Sequence, residues 1–352
     1  MNIIHLTSER NRGDQIQHIF NLCKAQLTDG QNAMIILPPE SGNTLPSTEN
    51  IPTTRMALSG LWGITAPVKI ASMLNKTDGT TILHAHDIPS VYVAVNTKRL
   101  SKNPEKIRVV ATTDTFNIKK REHETLNAVD AIIFHSDDTY KEFLSIPLPS
   151  TERPKTYLIH KTIHTRTDRQ AKPTGIINIA FIGTIDSESE LPTLINALES
   201  TKHNEIRLTI YGTGRGRDVM PIVRATRHSD IAGKIDWQGE MAPTDAVFDN
   251  AHIVFLPPIK HSINTSVIKA MNHGCAVITA DSPINREYFE NDKNIILYPA
   301  GNSTALTKLL SRLIIDEKYR NDIACGGVSL IHEGLTFDSY YKNTTNIYYN
   351  IL

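Results

Sequence analysis

The segment FLPPIKHSINTSVIKAMNHGCAVIT, from Phe255 to Thr279, is the most informative part of the sequence about the fold. It begins as an apolar strand, continues through a polar loop into a short helix, and returns after Gly274 to a second apolar strand. Two nearly unbroken apolar runs joined by a helix are typical of parallel strands that are buried on both faces. The stretch therefore predicts one strand–helix–strand unit of an α/β domain.

The same alternation continues along the whole chain. Apolar runs form two series, and amphipathic helical patterns lie between them. Repeated strand–helix alternation predicts two doubly wound, Rossmann-like α/β domains that face a cleft. The predicted strands are Ile3–Leu6, Ala33–Leu37, Thr81–His84, Val109–Thr112, Ala131–Phe134, Tyr157–Ile159, Ile177–Ile182, Leu208–Tyr211, Ile235–Gln238, Ile253–Leu256, Ala276–Ile278 and Ile295–Leu297.

The length of 352 residues exceeds the size at which a single core stops growing, which also favours two domains. Four prolines and a polar run separate the two strand series within Ile146–Thr174, so we expect the boundary there. We assign residues 1–165 to the first domain, joined by a C-terminal helix over 337–352. Residues 166–336 form the predicted second domain.

Composition excludes several classes of partner and compartment. The formal net charge is zero, so nucleic acid is not an expected partner. The chain starts with a four-residue apolar run, contains no 18-residue apolar stretch, and has three widely spaced cysteines without a CxxC pair. These features predict a cytoplasmic protein with reduced thiols.

Three glycine-containing turns follow predicted strands. Gly13 opens the first helix, where a glycine lets the backbone approach an anion, but a tight turn explains it better because Asp14 opposes anion binding. Gly183 lies at the end of the first strand of the second half, where a cleft is expected. Gly212 and Gly214 precede two arginines, which favours either a phosphate site or a solvated loop. Arg217 occupies the third glycine position of a dinucleotide fingerprint, which argues against an NAD-type oxidoreductase.

Polar residues also follow two strands of the first half. His84 and His86 stand two positions apart, but a metal site needs a third ligand that the sequence does not show nearby, so we expect no metal. A histidine that hydrogen-bonds substrate and a helix cap at Asp87 are the alternatives. Asp114 follows the next strand, where a single acid either orients a sugar hydroxyl or caps a turn.

Several segments, in order, resemble the retaining GT-B-fold glycosyltransferases of family four. The resemblance implies a nucleotide-sugar donor on the second domain and a glycan or lipid-linked acceptor on the first. It implies no metal and no cofactor, with the nucleotide sugar as substrate. The segments are IAFIGTIDSESELPTLINALE, LTIYGTG, IDWQGEM, AHIVFLPP and INREYFENDKNIILYPAGNSTALTKLLSRLI, with GDQIQHIFNLCKAQLTDG, ILHAHD and DAIIFHSD in the first half.

The resemblance also assigns site residues. The family's diphosphate-binding arginine and lysine fall on Thr184 and Ser189, and its two glutamates fall on His261 and Lys269. Asp114 takes the place of the family's histidine and is the catalytic candidate. The predicted donor-binding residues are Gly13, Gly183, Thr184, Ser189, Gly212, Gly214, His261, Ser262, Asn264, Thr265, Lys269 and Glu287.

Two functions follow from these assignments. The first is sugar transfer with retention, in which Lys260, Lys269, Arg215 or Arg217 neutralises the departing diphosphate in place of the family's cations. The second is a catalytically impaired relative that binds a glycan or assists a partner glycosyltransferase. For either function we expect a cytoplasmic protein with peripheral contact at the inner face of the membrane.

Overall fold

The computed structural model describes residues 1–8, 14–39, 50–114, 119–146, 153–186, 188–239, 245–257, 259 and 262–352. These residues divide into two compact units. Unit 1 comprises Met1–His160 and Asp338–Leu352, and unit 2 comprises Lys161–Phe337. Each unit is built on one parallel sheet with interleaved helices, so the predicted pair of Rossmann-like α/β domains is confirmed.

The sheet of unit 1, called sheet 1, contains seven strands among the described residues. They are β1 (Asn2–Leu6), β2 (Asn32–Leu37), β3 (Thr53–Arg55), β4 (Thr81–Ala85), β5 (Ile107–Thr113), β6 (Ala131–Phe134) and β7 (Lys155–Leu158). Their order is β3-β2-β1-β4-β5-β6-β7, and every pairing is parallel. The direction of winding reverses between β1 and β4, which makes that pair the topological switch point of the sheet.

The sheet of unit 2, called sheet 2, has six strands in the described part of the chain. They are β8 (Ile177–Ile182), β9 (Ile206–Tyr211), β10 (Ile235–Gly239), β11 (Ile253–Leu256), β12 (Ala276–Ala280) and β13 (Ile296–Tyr298). The order β10-β9-β8-β11-β12-β13 places the switch point between β8 and β11. The segment from Phe255 to Thr279 thus comprises the end of β11, the following helix and most of β12.

Helices cover both sheets in the usual α/β manner. The described helices are α1 (Asp14–Thr28), α2 (Gly60–Gly63), α3 (Ala66–Leu74), α4 (Ile88–Leu100), α5 (Lys120–Leu126), α6 (Asp137–Ser145), α7 (Leu191–Thr201), α8 (Gly216–Thr226), α9 (Asp245–Asn250), α10 (Thr265–Asn272), α11 (Pro283–Tyr288), α12 (Ser303–Ile315), α13 (Glu317–Glu333) and α14 (Phe337–Ile351). Short 3-10 turns at Pro104–Lys106 and Ala232–Lys234 precede β5 and β10. In the described residues, no helix combines the length and the apolarity needed to cross a membrane.

All twelve predicted strands are present, and their burial explains why they could be found. Strands β4, β6, β11 and β12 are buried at every residue, as expected for parallel strands covered on both faces. Strand β3 was missed because its three residues, Thr-Thr-Arg, carry no apolar pattern and lie at the sheet edge.

Helix α14 returns the C-terminus of the chain to unit 1. Its buried residues, including Tyr340, Ile347 and Tyr348, recur at helical spacing and form one apolar face. The Arg108 guanidinium and the Lys155 ammonium donate hydrogen bonds of 2.6 Å each to carbonyl oxygens near the end of the helix. The helix is therefore held to sheet 1 by packing and by charged donors at its carboxyl end.

Candidate functional site

The loops that follow β8 and β11 meet at the switch point of sheet 2. A Cβ on Gly183 would lie 2.4 Å from Cγ of Pro257, which is closer than side-chain atoms approach one another. The Gly183 amide donates to the Tyr211 carbonyl at 3.0 Å, which joins the end of β8 to the end of β9. Gly183 is therefore required for the close approach of two loops at the edge where α/β proteins bind ligands.

The glycine turn after β9 packs against the same loop, backbone to backbone. A Cβ on Gly212 would stand 1.9 Å from the Gly183 oxygen, and one on Gly214 would stand 1.8 Å from the Ile185 oxygen. The Ile185 amide donates to the Thr213 carbonyl at 2.8 Å. Loop packing by itself thus accounts for these glycines, and donor binding at Gly183, Gly212 and Gly214 stays a prediction.

Thr184 and Ser189 occupy different environments in the loop between β8 and α7. Thr184 is exposed, whereas Ser189 is only 1% exposed. The Ser189 hydroxyl donates to the Asp186 carbonyl at 2.9 Å and accepts a long bond from the Leu191 amide, so it stabilises the turn before the helix. Neither side chain carries a charge, and their roles in donor binding stay predictions.

Glu190, the acidic residue at the end of this loop, binds Tyr298 and Gly301. Glu190 has a left-handed backbone with φ of 57°. Its carboxylate accepts hydrogen bonds from the Tyr298 hydroxyl at 3.1 Å and from the Gly301 amide at 3.0 Å. Burial, and then the Glu190 charge, raise the pKa of Tyr298 well above its usual value. Because the Glu190 carboxylate is held in these two bonds, it stabilises the segment after β13.

The segment between β11 and α10 brings several predicted donor-binding residues together. The Asn264 side chain accepts from the Ser266 amide at 3.0 Å and caps α10. Thr265 begins the helix, and no acidic residue lies in its first turn. No acidic side chain in the first turn of α10 therefore offsets the positive end of the helix dipole, which lies at the carboxyl edge of sheet 2. Ser262, which precedes the helix, is partly buried, and so is Lys269 in the last turn of α10.

The structure adds a cation that the sequence did not suggest. The Lys161 ammonium donates to the Ser262 hydroxyl at 3.4 Å, and the Lys161 amide donates to the Tyr288 hydroxyl at 3.0 Å. Lys161 is 101 residues from Ser262 in the chain and lies in the segment that we took as the domain boundary, so no local motif could identify it. Predicted residues Gly13 and His261, and the alternative cation Lys260, lie outside the described residues.

Four other charged residues of unit 2 differ in exposure and in their ion pairs. The Arg286 guanidinium binds the Asp281 carboxylate through two nitrogens and lowers the pKa of that carboxyl, so this cation is already paired. Arg215 is exposed just before α8, and the Arg217 side chain is 72% exposed. Glu287 is partly buried on α11. Arg217 lies 4.0 Å from the Asp218 carboxylate, whereas Lys161 contacts the Ser262 hydroxyl.

The carboxyl edge of sheet 1 holds the catalytic candidate Asp114. It follows β5 directly and is partly buried. Burial raises the pKa of Tyr340 on α14 well above its usual value, and the nearby Asp114 charge adds to this effect. Asp114 therefore stands at the ligand-binding edge of the sheet, close to the C-terminal helix.

Asp87 joins the segment that follows β1 to the start of α4. Its carboxylate accepts from the Ser90 amide at 2.9 Å, which confirms the capping interpretation. It also accepts from the Ser8 amide at 2.6 Å, the Ser8 hydroxyl at 2.9 Å and the Thr7 hydroxyl at 3.0 Å. One carboxylate thus fixes the ends of both β1 and β4 at the switch point.

A third histidine, His5, joins His84 and His86 inside unit 1. His5 Nδ1 lies 2.9 Å from His86 Nε2, and its own Nε2 lies 2.8 Å from the Gln26 side-chain oxygen. His84 contacts the Tyr348 hydroxyl at 2.6 Å and the Thr112 hydroxyl at 2.7 Å. Burial lowers the pKa of His5 to about 4 and that of the other two well below 6.5, so all three rings are neutral. Sequence inspection missed His5 because it precedes His86 by 81 residues.

Comparison with known families identifies the second half of the chain. Residues 165–327 match the family model described as glycosyl transferases group 1. This segment includes the carboxyl-edge loops of sheet 2 and the β11–α10–β12 unit. No curated protein sequence matches the chain.

Solved structures with the same fold cover nearly the whole chain. HepE from Anabaena, in complex with UDP and glucose, is 13% identical, with a TM-score of 0.78 and 99% of each chain covered. A glycosyltransferase from Rickettsia africae is 14% identical, with a TM-score of 0.80 over 99% of this chain and 98% of its own. Sucrose-phosphate synthase from Thermosynechococcus elongatus is 13% identical, with a TM-score of 0.79 over 100% and 99%. At these identities the likeness shows the fold, which is that of GT-B glycosyltransferases.

Proposed function

Because residues 165–327 match the family of glycosyl transferases group 1 and the fold is that of GT-B glycosyltransferases, we propose that the chain transfers a sugar, with retention, from a nucleotide-sugar donor to a glycan or lipid-linked acceptor. The observation that carries this proposal is the carboxyl edge of sheet 2. There the glycine turns after β8 and β9 pack against each other and against Pro257, and Lys161 contacts Ser262, two residues before the Asn264 cap of α10. The HepE structure, which contains UDP and glucose, supports a nucleotide sugar as donor.

The diphosphate of the donor needs neutralisation as it departs. Charge-assisted hydrogen bonds contribute about 1.5–3 kcal/mol each, and such groups act most strongly where charge develops in the transition state. Thr184 and Ser189 supply no charge, and the Ser189 hydroxyl is used within its own turn. We infer that Lys269 and Lys161, with the dipole of α10, take over this task. The transfer then needs neither a metal nor a cofactor.

The acceptor belongs on unit 1 in this proposal. Asp114, at the carboxyl end of β5, has the position and charge to orient an acceptor hydroxyl. If the acceptor is lipid-linked, the protein works in the cytoplasm at the inner face of the membrane. A partner glycosyltransferase would then supply the growing glycan.

Calorimetric titration with UDP, GDP and ADP tests the donor site. We expect one nucleoside diphosphate to bind each chain, and we expect Lys269→Ala to weaken that binding roughly 10- to 150-fold, which corresponds to one charge-assisted bond. Lys308→Ala on α12 is the matched control because it removes an exposed lysine from a helix of unit 2 that holds no predicted site residue. Absence of binding by the native chain, or unchanged binding by Lys269→Ala, would contradict the proposal.

A catalytically impaired binding protein is the second candidate. The observation that favours it is the pair Thr184 and Ser189, which leaves the loop after β8 without the two cations that the family resemblance implies. Binding of a nucleotide sugar without release of nucleoside diphosphate, for every donor and acceptor tried, would support this candidate over the enzyme.

A further inference from the structure

We propose that His5, His84 and His86 bind one divalent transition-metal ion, with zinc as the foremost candidate, in the interior of unit 1. This inference does not depend on the proposed transferase activity. Imidazole nitrogen is a preferred ligand of zinc, copper, nickel and iron in proteins. One potential ligand nitrogen from each histidine lies within 4.8 Å of the others.

The backbone places all three rings on one face of sheet 1. His5 and His84 are register partners on the adjacent strands β1 and β4. His86 follows His84 by two residues, so it emerges on the same side of the chain. The arrangement occupies the switch point of the sheet, between the two strands where α/β proteins bind ligands. Apolar side chains fill most buried positions of these strands, so the packing of the core does not explain a cluster of three histidines here.

The distance between two of the ligand atoms already fits a shared ion. Two nitrogens at 2.0–2.1 Å from a tetrahedral zinc ion stand roughly 3.3 Å apart. His5 Nδ1 and His86 Nε2 lie 2.9 Å apart. The two rings therefore need to move apart by less than about 1 Å to admit the ion between them. The centroids of the His84 and His86 rings lie 4.1 Å apart, and a His84 nitrogen lies within 4.8 Å of the other two ligand atoms.

Outer partners orient the rings as in known metal sites. The Gln26 oxygen accepts from Nε2 of His5, which leaves the lone pair of Nδ1 directed at His86. A metal-bound histidine commonly donates its other N–H to such an acceptor. His84 has hydroxyl partners at both nitrogens, Thr112 and Tyr348. Metal binding replaces one of these hydroxyls, and the other continues to hold the ring.

Three protein ligands leave one position of a tetrahedral ion for water. His86 is 5% exposed, whereas His5 and His84 are fully buried, so the ion would enter from the side of His86. The ion would link β1 to β4, and through His84 it would adjoin α14.

The test uses the full chain, dialysed against a chelator and then titrated with Zn²⁺ and separately with Co²⁺. We expect one equivalent to bind, and we expect visible absorption bands of tetrahedrally coordinated Co²⁺. His5→Gln and His86→Gln should each weaken Co²⁺ binding at least tenfold. His123→Gln should leave it unchanged, because His123 is a buried histidine of the same unit outside the cluster.

Two results would overturn the inference: no bound ion in the native chain, or equal binding by the native chain and the cluster variants. Thermal unfolding of the native chain keeps the test decisive if a variant fails to fold. Saturating Zn²⁺ should raise Tm in a concentration-dependent manner, and chelator should reverse the rise. A Tm that Zn²⁺ does not move contradicts the site. Nucleotide titration of unit 2 is a separate readout, so failure of either proposal can be recognised independently.

Discussion

Substitution of Gly212 by alanine tests the close packing of loops at the carboxyl edge of sheet 2. The new Cβ would stand 1.9 Å from the Gly183 oxygen and 3.1 Å from the Gly183 carbonyl carbon. Both atoms belong to the backbone, so a side-chain rotation cannot relieve the contact. The two loops must therefore separate by at least about 1 Å.

The expected loss of stability follows from the contacts and hydrogen bonds that this separation disrupts. Overpacking of this kind costs about 1–3 kcal/mol. Moving the loops also strains the bonds from the Gly183 amide to the Tyr211 carbonyl and from the Gly212 amide to the Gly239 carbonyl, each contributing about 0.5–1.5 kcal/mol. We expect Gly212→Ala to destabilise unit 2 by about 2–5 kcal/mol. Gly216→Ala is the matched control, because nothing lies within 4 Å of its added Cβ at the start of α8.

Urea unfolding followed by tryptophan fluorescence measures the difference. The chain contains two tryptophans, and Trp237 on β10 pairs with Ile210 on β9. A Trp62→Phe background therefore makes the emission report on unit 2. With a slope of about 1–3 kcal/mol per molar urea, Gly212→Ala should lower the midpoint by about 1 M or more. Gly216→Ala should leave the midpoint nearly unchanged, since alanine favours a helix. Equal midpoints for the two variants would refute the argument.

Two further predictions concern unit 1. Asp87→Ala should cost about 2–4 kcal/mol in chemical denaturation, because it removes a helix cap and the acceptor for Ser8. Asp137→Ala, which removes a carboxylate from an exposed ion pair with Lys141, should cost under about 1 kcal/mol, and similar costs for the two variants would contradict the role of Asp87. The pKa of His5 is lowered from 6.5 to about 4, so its contribution to stability is complete above pH 6.5 and is lost as the pH falls toward 4. Metal-free native protein should therefore lose on the order of 3 kcal/mol of stability in that range from His5 alone, and a profile of Tm against pH that is no flatter for His5→Gln would contradict this.

The architecture was predictable because most of the strands contain a run of apolar residues. Buried parallel strands such as β11 and β12 leave an unbroken apolar run in the sequence, and glycines such as Gly274 mark where the adjoining helix ends. Strand β3 was not predictable, since Thr53–Arg55 is held by pairing with β2 at the sheet edge and not by apolar burial.

The candidate sites were less accessible to sequence reasoning because their parts come from distant segments. Ser262 was predicted from its motif, but its contact with Lys161 joins residues that are 101 positions apart within unit 2. His84 and His86 were visible as a pair, whereas His5 joins them only through the β1–β4 pairing. Local spacing carries no information about such contacts, which arise from strand order.

Turnover of nucleotide sugars tests the central claim most directly. Native protein is incubated with UDP-, GDP- and ADP-sugars, and released nucleoside diphosphate is quantified beside Lys269→Ala and Lys308→Ala. The account predicts slow release from at least one donor above the enzyme-free blank, strongly reduced by Lys269→Ala and retained by Lys308→Ala. No release from any of these donors, together with no binding of their nucleoside diphosphates, would contradict it.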